Sequence, residues 1–317
     1  MRIVFLGTPL TAVPSLRALV EAGHRPALVV TRPDRPARRG PTLVAPPVKQ
    51  TALAADLELV QPEKIRDRAF AERLAACEPD WLVVVAFGRI LPESVLRLAR
   101  RGAVNVHFSL LPRYRGAAPV QWALARGETS TGVTTMFMNE RMDEGDVLLR
   151  EEVPIEPGEH APALSGRLSR IGASLLLETL GRLERGDLVP LPQEHDAATY
   201  APPLRREDGE ITPDLPAREI EGRVRGFDPW PGVWLASRGK RLRLVEARAL
   251  DGPAAAAVPG TLLDSGSDGV AMVCGAGTAL RVDAVQLEGR RVLAARDALN
   301  GRQLVLGERL EPIAGRS

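Results

Sequence analysis

Short, uninterrupted apolar runs alternate with longer mixed stretches through the first half of the chain. Residues 3–6 (Ile-Val-Phe-Leu), 27–31 (Ala-Leu-Val-Val-Thr), 81–86 (Trp-Leu-Val-Val-Val-Ala) and 103–107 (Ala-Val-Asn-Val-His) read as strands, and residues 12–22 as a helix. Continuous apolar strands separated by helices indicate a parallel sheet covered on both faces. The expected architecture is a Rossmann-like α/β domain. In such sheets ligands sit beyond the carboxyl ends of the strands. The loops after Leu6, Thr31, Ala86 and His107 should therefore meet at one edge.

The pattern changes near residue 188. Prolines recur at 190, 192, 202, 203, 213 and 216 with few apolar runs between them, which is the composition of a linker. A helix-like stretch at 217–225 follows. Short runs then come at 233–236, 241–245, 261–263, 270–274 and 280–287, separated by glycines. Evenly spaced short strands of this kind predict a small β-barrel. The expected division is a catalytic α/β domain over 1–188, a linker over 189–206 and an OB-like C-terminal barrel domain over 207–317.

Composition narrows the setting without naming an activity. With 317 residues, 44% hydrophobic and 26% charged, the chain can fill two cores without disulfides or metals. Cys77 and Cys274 stand in unrelated contexts, so a disulfide framework is not expected and a reducing compartment is. The apolar run at the N-terminus is too short for a signal peptide or a membrane span and meets Pro9 at once, which makes a cytoplasmic protein the expectation. A monomer is expected. The net charge of +2 does not announce a nucleic-acid binder, which needs local rather than total positive potential.

Three segments could carry chemistry. Asn105 and His107 are two apart at a strand end, so alternation puts both on one face with Val106 on the other. An amide and an imidazole converging there could stabilise an oxyanion or move a proton; a polar pair bonded to backbone is the plainer alternative. Arg141-Met142-Asp143-Glu144-Gly145-Asp146 is either a solvated turn or the source of a carboxylate that orients the imidazole. Arg32, Arg35, Arg38 and Arg39 lie in a proline-rich loop after the second strand. They could clamp phosphates or form a solvated charged face. The chain lacks G-x-G-x-x-G, a P-loop and G-x-S-x-G, and His24, His107, His160 and His195 show no metal-ligand spacing, so no metal is expected.

Asn105-x-His107 followed by Ser109-Leu110-Leu111-Pro112-x-Tyr114-Arg115-Gly116 resembles the signature of folate-dependent formyltransferases. Phe5-Leu6-Gly7-Thr8-Pro9, Thr31-x-Pro33-Asp34-Arg35-Pro36, Phe87-Gly88-x-Ile90-Leu91-Pro92, Gly116-Ala117-Ala118-Pro119-x-Gln121 and Phe227-x-Pro229-Trp230-Pro231-Gly232 occur in the same order. Together they resemble, from end to end, the family that formylates methionyl-tRNA. The resemblance implies 10-formyltetrahydrofolate as donor and methionyl initiator tRNA as acceptor. It implies a catalytic trio of Asn105, His107 and Asp143. It places folate contacts on Phe87, Gly88, Arg89, Ile90 and Leu91, on Ser109, Leu110, Leu111 and Pro112, and on Glu144, Gly145 and Asp146. It implies tRNA contacts at Arg32, Arg35, Arg38 and Arg39, with more from Arg205, Arg206 and the C-terminal barrel. The chain departs from that pattern at Phe108, where a small residue or proline is usual, and at Arg205-Arg206, where a lysine is usual. Two competing readings share the Asn-x-His core: a formyltransferase acting on a small amine such as glycinamide ribonucleotide or an amino sugar, and an RNA-binding module with a dead transferase domain.

Overall fold

The structure, a computed structural model, describes residues 1–36, 43–252, 254–266 and 269–313. Its contacts separate into two compact units. One holds Met1–Pro119, Ser130–Pro154 and Ser165–Pro202; the other holds Val120–Thr129, Ile155–Leu164 and Pro203–Ser317. The second unit thus includes two segments from the first half of the chain.

The first unit is built on β1 (Ile3–Gly7), α1 (Val13–Glu21), β2 (Leu28–Val30), the two-residue strands β3 (Arg35–Pro36) and β4 (Leu43–Val44), α2 (Pro47–Ala54) and β5 (Leu59–Val60). It continues through α3 (Arg68–Ala75), β6 (Trp81–Val85), α4 (Glu93–Leu96) and β7 (Gly102–His107). Beyond α5 (Pro119–Ala125) come β8 (Ser130–Phe137), β9 (Val147–Pro154) and the long helix α6 (Ala161–Arg185). Seven strands pair in the order β5-β2-β1-β6-β7-β8-β9. Every residue of β1 and β6 is buried, which is why both read as unbroken apolar runs. Trp81 opens β6, stacks on Phe137 at 6.3 Å between ring centres, and donates from Nε1 to Glu184 at 2.9 Å.

The five strands from β5 to β7 are parallel, as the sequence indicates. The last two are not: β8 runs antiparallel to β7, and β9 antiparallel to β8. The sheet is therefore mixed rather than wholly parallel. Residues 138–146 join β8 to β9 directly, and a connection that short permits only an antiparallel return. The exposed charges Arg150, Glu151 and Glu152 on β9 suit an edge strand.

The second unit adds α7 (Ala217–Gly226), β10 (Val233–Ser237), β11 (Lys240–Leu250), β12 (Leu262–Asp264), β13 (Val270–Cys274), β14 (Thr278–Leu287), β15 (Leu293–Ala294) and α8 (Ala295–Asn300). The path β10-β11-β14-β13-β12 is antiparallel throughout. The segment 307–311 closes it. Ala236 and Glu311 exchange both backbone hydrogen bonds at 2.7 and 2.9 Å on the β10 side, while Gly307 and Leu310 donate to Leu262 and Gly260 on the β12 side. Pairing both edges removes the exposed rims an open sheet would present. Ile220, Val224, Phe227, Leu242, Leu244, Met272 and Leu280 fill the interior.

Cys274 sits in that core at 1% exposure, and burial pushes its thiol up to about 12. Cys77 is half-buried. Only the thiolate alkylates. Iodoacetamide at pH 8 should therefore label Cys77 in the native protein and spare Cys274 until urea unfolds the second unit, as peptide mass spectrometry would read. Labelling of Cys274 at the native rate of Cys77 would contradict the packing described.

Candidate active site

The strand alternation anticipated in β7 is present. Val106 faces α6 across Gly172, where a Cβ would stand 2.8 Å from Val106 Cγ1. Asn105 and His107, both buried, lie on the other face and line a cavity of about 600 Å³. The chain after β7 is then folded by its own hydroxyls. Ser109 Oγ donates to Arg113 O at 2.6 Å; Thr134 Oγ1 donates to Ser109 O at 2.6 Å and accepts from Leu111 N at 3.1 Å. Tyr114 N donates to Thr199 Oγ1 at 2.8 Å. This turn brings the carbonyl of Tyr114 within 2.9 Å of His107 Nε2. A carbonyl can only accept, so Nε2 carries the hydrogen and Nδ1 of the neutral ring is a free acceptor.

The loop between β8 and β9 supplies the carboxylate. Phe137 N donates to Asp146 O at 2.9 Å, closing the loop. A Cβ at Gly145 would fall 1.8 Å from Phe137 O, so only glycine lets the two segments approach. Asp143 holds a positive φ of 55°, a region that asparagine and aspartate tolerate better than most residues. Its Oδ2 accepts from Gly116 N at 2.8 Å and faces His107 Nδ1 at 3.7 Å. That gap exceeds a hydrogen bond, and such contacts tighten when the ring is protonated or substrate is bound. A proton arriving at Nδ1 would make an imidazolium held between a carbonyl and a carboxylate.

Asn105 differs from its neighbours. Among the described residues no protein group takes its side-chain amide in a hydrogen bond, although the residue is only 9% exposed. Buried polar groups are nearly always paired, and one left open towards a cavity is a donor available to a ligand.

The loops expected at the carboxyl edge do meet. Thr8 and Pro9, Arg32, Ala86 and Phe108 all line the same cavity. So do Phe87, Gly88, Arg89, Ile90 and Leu91, and Asp143. Ser109, Leu110, Leu111, Pro112, Glu144, Gly145 and Asp146 do not line it. Ser109 is fully buried with its hydroxyl engaged; Leu111 packs with Met136 and Val147; Asp146 is exposed. Glu144 lies 3.5 Å from both Arg115 Nη1 and Arg141 Nη1. Arg89 donates to the carbonyls of Pro62 and Glu63, both at 2.9 Å.

Of the expected tRNA contacts, Arg32 lines the cavity and Arg35 is exposed in β3. Arg38 and Arg39 lie outside the described residues. Arg205 and Arg206 are exposed in the second unit, where Arg206 Nε stands 3.8 Å from Glu210. Burial, and then the like charges of Arg35 and Arg89, hold the Arg32 guanidinium below its ordinary value. An anion beside it would relieve both effects. Asp34 anchors the start of the loop through Gln61 and Lys49, each at 2.7 Å, and these two bonds keep its carboxyl below the usual range.

Sequence reasoning missed three residues that shape this site. Thr134 and Thr199 hold the turn after β7. Gln193 lies inside the proline-rich stretch, yet is 5% exposed and donates to the carbonyls of Asp143 and Gly145. Its stretch is tied to the first unit by Leu191, which exchanges hydrogen bonds with Val147, and by Ala201, which donates to Arg115 O. A lone glutamine among prolines carries no pattern that could have revealed this. Among the described residues no cluster of three or more His, Cys, Asp or Glu could hold a metal, and no helix is long and apolar enough to cross a membrane.

The whole chain compares closely with known proteins. Residues 1–180 match the formyl transferase family and residues 203–303 match the formyl transferase C-terminal domain. A methionyl-tRNA formyltransferase of Moorella thermoacetica is 47% identical over 308 residues, covering 97% of this chain and 98% of that protein. One from Koribacter versatilis is 49% identical, covering 95% of this chain and 96% of its own length. Among solved structures, the sugar 3N-formyl transferase WlaRD, crystallised in the presence of dTDP and 5-N-formyl-THF, shares the fold with a TM-score of 0.67 at 15% identity, covering 92% of this chain and 99% of that one. HypX from Aquifex aeolicus, in complex with tetrahydrofolic acid, matches with a TM-score of 0.62 at 19% identity, over 96% of this chain and 48% of its own. Paired domain matches, near-complete overlap and almost half the residues identical leave one conclusion: the chain belongs to the methionyl-tRNA formyltransferase family.

Proposed function

We propose that the protein transfers the formyl group of 10-formyltetrahydrofolate to the α-amine of methionyl initiator tRNA, in the cytoplasm and as a monomer. One observation carries the mechanism: the open amide of Asn105 shares a cavity wall with the His107–Asp143 pair. The cavity has an apolar floor of Val84, Phe87, Leu91, Met136 and Met138, and its size is in the range of small-molecule sites. These features suit a folate ring with its reactive end directed to Asn105.

The neutral amine attacks the formyl carbon and a new C–N bond forms. The carbonyl oxygen becomes an oxyanion, and the Asn105 amide donates to it. The amine proton passes to His107 Nδ1, the acceptor left open by the Nε2–Tyr114 bond. Asp143 stabilises the resulting imidazolium. The bond to the folate nitrogen then breaks, that nitrogen takes the proton back from His107, and N-formylmethionyl-tRNA and tetrahydrofolate leave. No metal is required by any step.

The proposed division has 1–188 as the catalytic domain, 189–206 as a linker that packs on it through Leu191, Gln193 and Ala201, and 207–317 as an OB-like tRNA-binding domain. Arg32, Arg35, Arg38 and Arg39, with Arg205 and Arg206, contact tRNA phosphates. Each lost phosphate contact removes about one unit from the slope of log K against log salt. Arg35→Ala should therefore weaken tRNA binding and flatten that slope by about one, with folate affinity unchanged. An unaltered salt titration would return Arg35 to the solvent-facing role.

The reaction itself is tested by offering methionyl initiator tRNA, glycinamide ribonucleotide and an amino sugar in turn with 10-formyltetrahydrofolate. Formylation of the tRNA alone is the expected result. Formylation of either small amine in preference to the tRNA, or of none, would overturn the proposal.

A further inference from the structure

We propose that Gln193 is a positioning residue for formyl transfer: its side-chain amide clamps the turn that carries Asp143, and Arg115 fixes the orientation of that amide. The inference rests on the reading of Asp143 as the partner of His107.

Gln193 has four hydrogen-bonding positions on its side chain, and all are used. Nε2 donates to Asp143 O at 2.9 Å and Gly145 O at 2.7 Å; Oε1 accepts from Arg115 Nε at 3.2 Å and Nη2 at 2.8 Å. Only one of the two amide orientations permits this. Turned over, the oxygen would face two carbonyls and the NH2 would face a guanidinium, which has no acceptor. The glutamine is itself anchored, because Leu191, two residues earlier, exchanges backbone bonds with Val147 at 2.8 and 2.9 Å.

The clamp acts where the backbone most needs it. Asp143 sits at φ 55°, and a non-glycine residue persists there when its surroundings over-determine it. The carbonyl of Asp143 and that of Gly145, two residues on, are the groups Gln193 holds. On the other side, Arg115 directly precedes Gly116, whose N–H donates to Asp143 Oδ2. The guanidinium–amide pair therefore ties the donor and the acceptor of that bond to one another. Freed of it, the carboxylate would lose its registration against His107 Nδ1, now 3.7 Å away. A displacement of about 1 Å in such a group can cost roughly a hundredfold in rate.

A simpler role would be to satisfy the buried charge of Arg115. Gln193→Glu separates the two, since a carboxylate still pairs with Arg115 but offers no donor to the two carbonyls. The expected result is a kcat about 10- to 100-fold lower, with KM for both substrates little changed. A wild-type kcat in Gln193→Glu would overturn the proposal. In an Asp143→Asn background, single-turnover rates should show little further loss on adding Gln193→Glu, because the clamp acts through the missing carboxylate; a full repeat of the loss would overturn it. If Asp143→Asn itself turns over normally, the reading of Asp143 fails, and that result is distinct from a failure of Gln193. Should Gln193→Glu not fold, the double variant Arg115→Met/Gln193→Met removes both polar partners together. It should fold and remain slow, and wild-type turnover in it would sink the proposal.

Discussion

Asn105→Ala is expected to lower formyl transfer by about two to three powers of ten, the usual loss when one oxyanion donor is removed, with little change in the thermal midpoint. The two halves of that expectation come from one fact: among the described residues, nothing in the protein bonds to the Asn105 amide. Truncation therefore leaves no orphaned partner, and the volume lost opens into an existing cavity rather than a closed void. His107 makes a less clean probe. Its removal also takes away the buried hydrogen bond to Tyr114 O, and such a bond contributes about 0.5–1.5 kcal/mol. Loss of rate in His107→Ala would thus mix chemistry with stability. Turnover within about tenfold of wild type in Asn105→Ala, at saturating substrates, would take the amide out of the mechanism.

The parts of this molecule legible in its sequence are those set by local pattern. The runs at 3–6 and 81–86 are strands because a buried parallel strand must be apolar on both faces, and that leaves a direct trace. Asn105 and His107 share a face because strand alternation is arithmetic. The direction of β8 left no such trace. A strand looks the same in either orientation, and only the nine-residue span 138–146 to β9 constrains it. The carboxylate was found by resemblance rather than by spacing, since Asp143 reaches His107 from 36 positions away through a loop whose shape depends on Gly145 meeting Phe137 O. Gln193 was not legible at all. Its importance lies in two backbone carbonyls and a guanidinium, and backbone groups carry no sequence signature.

The buried arginine next to the site gives the largest expected effect on stability. Arg115 is 1% exposed, and besides Gln193 it reaches His195 Nδ1 at 3.2 Å and Glu144 Oε1 at 3.5 Å. Two opposed effects decide the outcome of Arg115→Met. Removing a buried charge and filling its place with an apolar chain of similar reach can be neutral or even stabilising. Leaving Gln193 Oε1 buried with no donor costs about 1–3 kcal/mol. Glu144 keeps Arg141 at 3.5 Å and is half-buried, so its loss is smaller. The orphaned amide oxygen wins, because methionine cannot replace either of the two N–H groups that Arg115 supplies to it. The net cost is about 1–3 kcal/mol, which for a unit of this size corresponds to a fall of roughly 2–12 °C in the thermal midpoint. Calorimetry of the whole chain reads it as a lowered midpoint. Equal midpoints for Arg115→Met and wild type would mean that the apolar replacement outweighs the stranded amide.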